Sequence, residues 1–209
     1  MKNVIYRDIK KEDLKEIEEL IRDAFGFNNF IHNKELLDMI TTLYLEETIA
    51  ESSFIKVASK DDKVLGVILC NATKDSTNYN HLFIHLNQEN FPTTLPIKND
   101  KDKNETNEFL KIKDAYYELL KGKESLFDSS INLFIVSKEA RGLGIGKTLL
   151  SYSLKYMNSV GTSSLYLFTD TRCNYGFYES QGFNRLEEKN VYIKTMESNI
   201  KTFLYSYSR

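Results

Sequence analysis

Residues Arg141 to Thr148 read RGLGIGKT, placing three glycines within five residues of a 209-residue chain that holds only nine. Glycine allows turns closed to other residues and lets a ligand approach main-chain N–H groups closely. At a helix start several such groups, carrying partial positive charge, point at one spot. That combination suits a phosphate. The closing Gly-Lys-Thr invites a nucleoside-triphosphate loop, but that motif needs glycine five residues before its second glycine, where Arg141 stands. The dinucleotide fingerprint GxGxxG also misses, because counting from Gly142 or Gly144 puts Lys147 or Leu149 at its last glycine. What fits is R-x-x-G-x-G, formed by Arg141, Gly144 and Gly146, and a pyrophosphate is the ligand that such a turn suits. The plain alternative is a glycine turn that serves packing only.

Other reactive side chains lead to less. His81 and His85 lie four apart, but position 82 is leucine, so there is no HExxH zinc site, and no metal is expected. Cys70 and Cys173 are distant and form no CxxC pair, which suits free thiols in a reducing, cytoplasmic setting. Cys173 has no histidine near it in sequence and reads as a packing residue rather than a nucleophile. Lys and Arg total 28 against 30 Asp and Glu, a net charge of -2, which gives no electrostatic footprint for nucleic acid. The first residues carry no apolar targeting core and no run reaches the ~18 apolar residues of a membrane span, so no membrane partner is expected.

The elements that must hold the glycine turn follow from hydrophobic spacing. Val4 to Tyr6 reads as a strand, and Leu14, Ile17, Leu20, Ile21, Ala24 and Phe25 recur at helical spacing. Asn33 caps a second helix whose stripe is Leu36, Leu37, Ile40, Leu43 and Tyr44. Phe54 to Ala58 and Val64 to Cys70 form a hairpin across the polar turn from Ser59 to Lys63. His81 to Leu86 reads as a further strand, and Asn99 to Glu108, ten residues without an apolar side chain, as a flexible loop. A helix then runs through Phe109, Ile112, Tyr116 and Leu119 towards Gly122. Ile131 to Val136 is an apolar strand feeding the glycine turn, with a helix from there to Gly161. Leu165 to Phe168 is the next strand and Tyr175 to Ser180 a short helix closed by Gly182. Val191 to Lys194 and Thr202 to Tyr207 are the last strands. With no repeat and no linker, residues 1–209 are expected to be one α/β domain.

On two blocks the sequence resembles the GCN5-related N-acetyltransferase (GNAT) family. LFIVSKEARGLGIGKTLL, Leu133 to Leu150, is similar to that family's cofactor strand and pyrophosphate loop, and NYGFYESQGF, Asn174 to Phe183, to its later helix and following strand. The strand, two helices and hairpin at the start match as well, whereas residues 71–128 match nothing and read as an insertion. The resemblance implies a mixed, mostly antiparallel central sheet flanked by helices, with two central strands splayed apart to admit acetyl-CoA. It implies an N-acetyltransferase that moves acetyl to a primary amine by direct attack.

The same resemblance assigns roles. The backbone of Phe134, Ile135 and Val136 would pair with the pantetheine arm, and the Val136 N–H would donate to the thioester oxygen. The loop Gly142, Leu143, Gly144, Ile145, Gly146 and Lys147 would hold the pyrophosphate, with charge from Arg141 and Lys147. Thr171 and Asn174 share a polar contact to the pantetheine, and the family often has asparagine where Thr171 stands. Tyr178 would protonate the departing thiolate. For the base, the central strands carry no carboxylate and Asp170 is the nearest acidic residue, with a water relay as the alternative. The expected partner is a small-molecule or peptide amine, homodimerisation stays open, and the second functional reading is a non-catalytic acyl-CoA-binding or sensing domain.

Overall fold

The computed structural model describes residues 4–83 and 94–208. Seven strands form one sheet in the order β1-β2-β3-β4-β5-β7-β6. These are β1 (Ile5–Arg7), β2 (Phe54–Lys60), β3 (Lys63–Ala72), β4 (Ser129–Val136), β5 (Ser164–Asp170), β6 (Asn184–Ile193) and β7 (Ser198–Ser208). Every neighbouring pair is antiparallel except β4 with β5. The helices are α1 (Leu14–Phe25), α2 (Phe27–Phe30), α3 (Lys34–Ala50), α4 (Asp100–Leu120), α5 (Ile145–Ser159) and α6 (Gly176–Ser180). No described helix is long and apolar enough to cross a membrane. The mixed, mostly antiparallel α/β fold expected from the sequence is the one found.

Alternating strand residues feed two cores, one on each face of the sheet. Val67 and Leu69 pack with Ile17, Ile21, Leu36 and Ile49 of α1 and α3, while Ile68 and Cys70 pack with Leu149, Leu150 and Met157 of α5. On β4 this alternation breaks. Leu133 and Ile135 face α1 and α3, yet Ile131, two residues earlier, faces α5. The cause is a β-bulge: Leu69 pairs with Leu133 and Cys70 with Ile131, so Asn132 is an extra residue with no partner on β3, and the inserted residue reverses the faces.

Beyond the bulge, Gly66 on β3 faces β4 where there is no room for a side chain. A Cβ built on Gly66 would lie 2.8 Å from the Ile135 carbonyl oxygen, a distance that only glycine avoids.

Two expectations need correction. The apolar-free stretch from Asn99 to Glu108 is the first half of α4. The Asn99 side chain caps it by accepting from the Asp102 N–H at 2.9 Å. Its polar residues are buried against polar partners: Asp102 accepts from the Asn33 amide (2.8 Å) and the Lys98 N–H (2.9 Å). Glu105 takes the His32 N–H (3.0 Å) and contacts its ring Nδ1 (2.8 Å), and Glu108 takes the Lys194 N–H (2.8 Å). The first half of α4, which has no apolar face, thus docks through carboxylates that accept from main-chain N–H groups elsewhere in the chain. The strand read at His81 to Leu86 is instead, as far as it is described, a single helical turn over Asn80–Leu82; residues 84–86 and His85 lie outside the described residues. The turn α2 was not anticipated. It packs Phe27 and Phe30 into the core and contacts α4.

Candidate active site

β4 and β5 pair over only three positions, Ser129 with Leu165, Ser130 with Tyr166 and Ile131 with Leu167, and then part. A cleft of about 1120 Å³ opens through that gap and runs from the glycine turn to α3 and α4. Main-chain direction along β4 is set by two observations. The Ser137 N–H donates to the Leu65 carbonyl on β3 at 2.8 Å, and the Ile135 carbonyl also points at β3. Because strand peptides alternate, the N–H groups of Phe134 and Val136 point the other way, into the gap. Ile135 therefore turns its own polar groups away from the gap and meets the cleft as an apolar residue.

At one end of the gap, Gly142 (φ 78°) and Gly144 (φ 77°) adopt left-handed backbone, and α5 starts directly after Gly144. Nothing lies within 4 Å of a Cβ built at either position, so the backbone conformation, not crowding, selects glycine there. The first bond back into the helix is Thr148 N–H to the Gly144 carbonyl at 3.1 Å, and the preceding N–H groups face outwards. Arg141 and Lys147 flank them, exposed, and neither makes an ion pair among the described residues. Ile145 is buried and anchors the turn, while Leu143 is exposed and offers its backbone only.

Tyr178 lines the middle of the cleft on α6. Its ring is boxed by Phe134, Phe177, Phe183 and Tyr205 at 5.6–6.3 Å between centroids, and its hydroxyl makes no hydrogen bond among the described residues. Burial, with the nearby Cys173 adding, holds its proton far above the ordinary phenol range. Burial, followed by the charge of Asp170, likewise pushes the Cys173 thiol up to about 11. Such a thiol is protonated at neutral pH, in keeping with a packing residue. Asn174 lines the cleft, whereas Thr171 does not: its N–H donates to the Lys201 carbonyl (3.0 Å), and its hydroxyl accepts the Lys201 N–H (3.3 Å), tying β5 to β7. Of the pair expected to share the pantetheine contact, only Asn174 is at the cleft.

Asp170 does not have the environment of a free base. It is 1% exposed, and its carboxylate accepts the Arg172 N–H (2.8 Å), Nε (3.0 Å) and Nη2 (2.6 Å) and the Tyr116 hydroxyl (2.9 Å). The Arg172 Nη1 continues to the Phe25 carbonyl at 2.9 Å. One carboxylate thus fastens the end of β5 to α1 and α4, and its lone pairs are committed. Two features of the cleft were missed from sequence. One is the bulge residue Asn132, whose amide donates to the Glu51 carbonyl (2.9 Å) and Ser52 hydroxyl (3.1 Å). The other is α4 as a wall, through Phe109, Ile112, Lys113 and Tyr116. The bulge leaves no periodic trace in a sequence, and the helical spacing of Phe109, Ile112 and Tyr116 does not tell that their helix borders a cleft. Among the described residues no group of side chains is arranged to hold a metal ion.

Residues 115–183 match the model of the acetyltransferase (GNAT) family. The GNAT resemblance is borne out. The fold agrees over the whole chain with that of an N-acetyltransferase from Staphylococcus aureus Mu50 (16% identity, 99% of this chain and 98% of that one, TM-score 0.58). It agrees likewise with a ribosomal-protein-alanine N-acetyltransferase from Brucella melitensis (15%, 98% and 99%, 0.54). The Salmonella typhimurium protein yncA, whose structure holds its cofactor acetyl-CoA, is similar at 11% identity (99% and 94%, 0.55). No curated protein matches the sequence.

Proposed function

We propose that the protein transfers acetyl from acetyl-CoA to a primary amine by direct attack. The observation that carries this reading is the gap between β4 and β5, with the Phe134 and Val136 N–H groups facing into it between a glycine turn and an unpartnered tyrosine hydroxyl. The residues fit the cofactor. The outward N–H groups of the α5 start, with Arg141 and Lys147, suit a pyrophosphate, and two main-chain donors spaced along β4 suit the amide-bearing pantetheine. When bound, acetyl-CoA supplies an activated acetyl group on a thioester.

The chain's own part is positioning and proton transfer. The Val136 N–H, which faces into the gap, would donate to the acyl oxygen as negative charge builds on it. Asn174 adds a polar contact along the cleft. Tyr178 holds a neutral hydroxyl ready for the leaving sulfur. In water a phenol is the weaker acid of the two, and burial holds the Tyr178 proton more tightly still. The transfer therefore rests on contact: the phenolic proton moves to sulfur only as negative charge develops on it.

The acyl-CoA-binding reading without catalysis draws support from the committed carboxylate of Asp170. One experiment separates the two: thiol release from acetyl-CoA followed across polyamines, aminoglycosides, amino acids and peptide N-termini, with thermal stabilisation by acetyl-CoA measured alongside. Release with one amine class, and its loss in Tyr178→Phe with stabilisation intact, is the expected result. Stabilisation with no release on any amine favours the sensing domain, and no stabilisation refutes both.

A further inference from the structure

We propose that Glu51 receives the acceptor's ammonium group at the far end of the cleft from the glycine turn, takes its proton, and thereby selects cationic amines that carry no carboxylate of their own. This rests on the acetyl-transfer reading and names its missing base and its acceptor class.

The argument begins with charge in the cleft. Glu47, Glu51, Lys113 and Arg172 are among the charged residues that line it. Lys113 on α4 reaches both oxygens of Glu47 on α3 at 2.7 Å, and Arg172 is spent on Asp170, so each of those cations is neutralised. Of the four charged groups, the Glu51 carboxylate alone makes no hydrogen bond or ion pair among the described residues. It stands immediately after the last residue of α3, where the helix presents its negative end and a cation is favoured twice over. Its backbone is fixed to the sheet, because its carbonyl takes the Asn132 amide at 2.9 Å and Asn132 is the bulge at which β4 turns into the gap.

The same cleft also has an aromatic wall. Phe25, Phe27, Tyr44 and Phe109, from α1, α2, α3 and α4, pack ring to ring at 4.8–6.0 Å and line the cleft. An ammonium on a flat apolar body matches both surfaces, and a neighbouring carboxylate on the ligand would meet Glu51 as a like charge. The titratable groups around Glu51 are Glu47 and Tyr44 on α3, Lys113 and Tyr117 on α4 and Tyr166 on β5. Partial burial first, and then Glu47, raise its proton affinity against the lowering effect of Lys113, which brings a carboxylate closer to the range useful for accepting a proton.

The proton balance closes. The ammonium gives one proton to Glu51. The freed nitrogen pair forms the C–N bond, and the C–S bond breaks with its pair going to sulfur, which takes the Tyr178 proton. The second proton lost by nitrogen restores Tyr178, and Glu51 returns its own to water.

The test uses the full chain with 2-phenylethylamine and with phenylalanine, which share ring and amine and differ by one carboxylate. The expected result is a kcat/KM at least about tenfold higher for phenylethylamine. Glu51→Gln should lower it about 100-fold or more and abolish the acidic limb of the pH profile, and Glu51→Asp should restore part of the rate. Acetyl-CoA should stabilise all three proteins equally. Equal rates for the two amines, a preference for phenylalanine, no turnover of either amine, or a Glu51→Gln variant with unchanged rate and pH profile overturns the proposal while acetyl-CoA still stabilises the protein. Failure of acetyl-CoA to stabilise the unmodified chain refutes the acetyl-transfer reading itself.

Discussion

Replacing Asp170 by asparagine separates its two conceivable roles. The side chain keeps its shape, but one oxygen becomes an NH2 group aimed at donors, since all four bonds to this carboxylate come from N–H or O–H groups of Arg172 and Tyr116. Breaking a buried ion pair by removing one partner costs about 3–5 kcal/mol. The Arg172 side chain is 21% exposed and can rehydrate in part, which puts the expected loss at the lower end, about 3 kcal/mol. At roughly 2–4 °C per kcal/mol for a domain of this size, Tm should fall by about 6–12 °C. Tyr116→Phe, which removes one hydrogen bond to the same carboxylate, should cost about 1.5–3 kcal/mol. The measurement is thermal unfolding by calorimetry, with thiol release assayed well below each transition. If Asp170→Asn melts within about 2 °C of the parent protein and yet loses 100-fold or more in rate, Asp170 is a base and the structural assignment fails.

Gly66→Ala should cost about 1–3 kcal/mol, because its methyl meets the Ile135 carbonyl at 2.8 Å, and chemical denaturation will show it as a lower midpoint with unchanged slope. Cys173, with its thiol raised to about 11, should be alkylated at pH 8 roughly a hundredfold more slowly than an unperturbed thiol, its rate still climbing between pH 9 and 11, as read by mass spectrometry of the modified peptide. The buried Cys70, pushed up to about 12, should stay unmodified over the same period. Amide hydrogen exchange across residues 103–108 should show helix-like protection that Glu105→Ala weakens, since that carboxylate ties α4 to His32; coil-like exchange in the unmodified chain would contradict the helix assigned there.

The two GNAT blocks were legible because their information is local. Arg141, Gly144 and Gly146 sit at fixed spacing between an apolar strand and an amphipathic helix, and a left-handed backbone at Gly142 and Gly144 admits few other residues. The hairpin, the Asn33 cap and the helix from Ile145 follow equally from periodicity and capping chemistry. The first half of α4 was invisible for a physical reason. Its stability comes from Asp102, Glu105 and Glu108 accepting hydrogen bonds from Lys98, His32 and Lys194, and those donors are close only in the folded chain.

The same distinction governs the cleft. In the sequence, spacing marked the turn that suits a pyrophosphate, since it depends on neighbours along the chain, and the resemblance of two blocks to the GNAT family implied the sheet architecture and the role of the tyrosine on the short helix. Only the tertiary structure decided which carboxylate is committed and which is free. Asp170 lies next to the reactive strand but is bound by Arg172 and Tyr116, whereas Glu51, 119 residues earlier, reaches the cleft through the bulge at Asn132. Proton affinity and availability are set by what surrounds a side chain in space, and linear spacing carries no record of that.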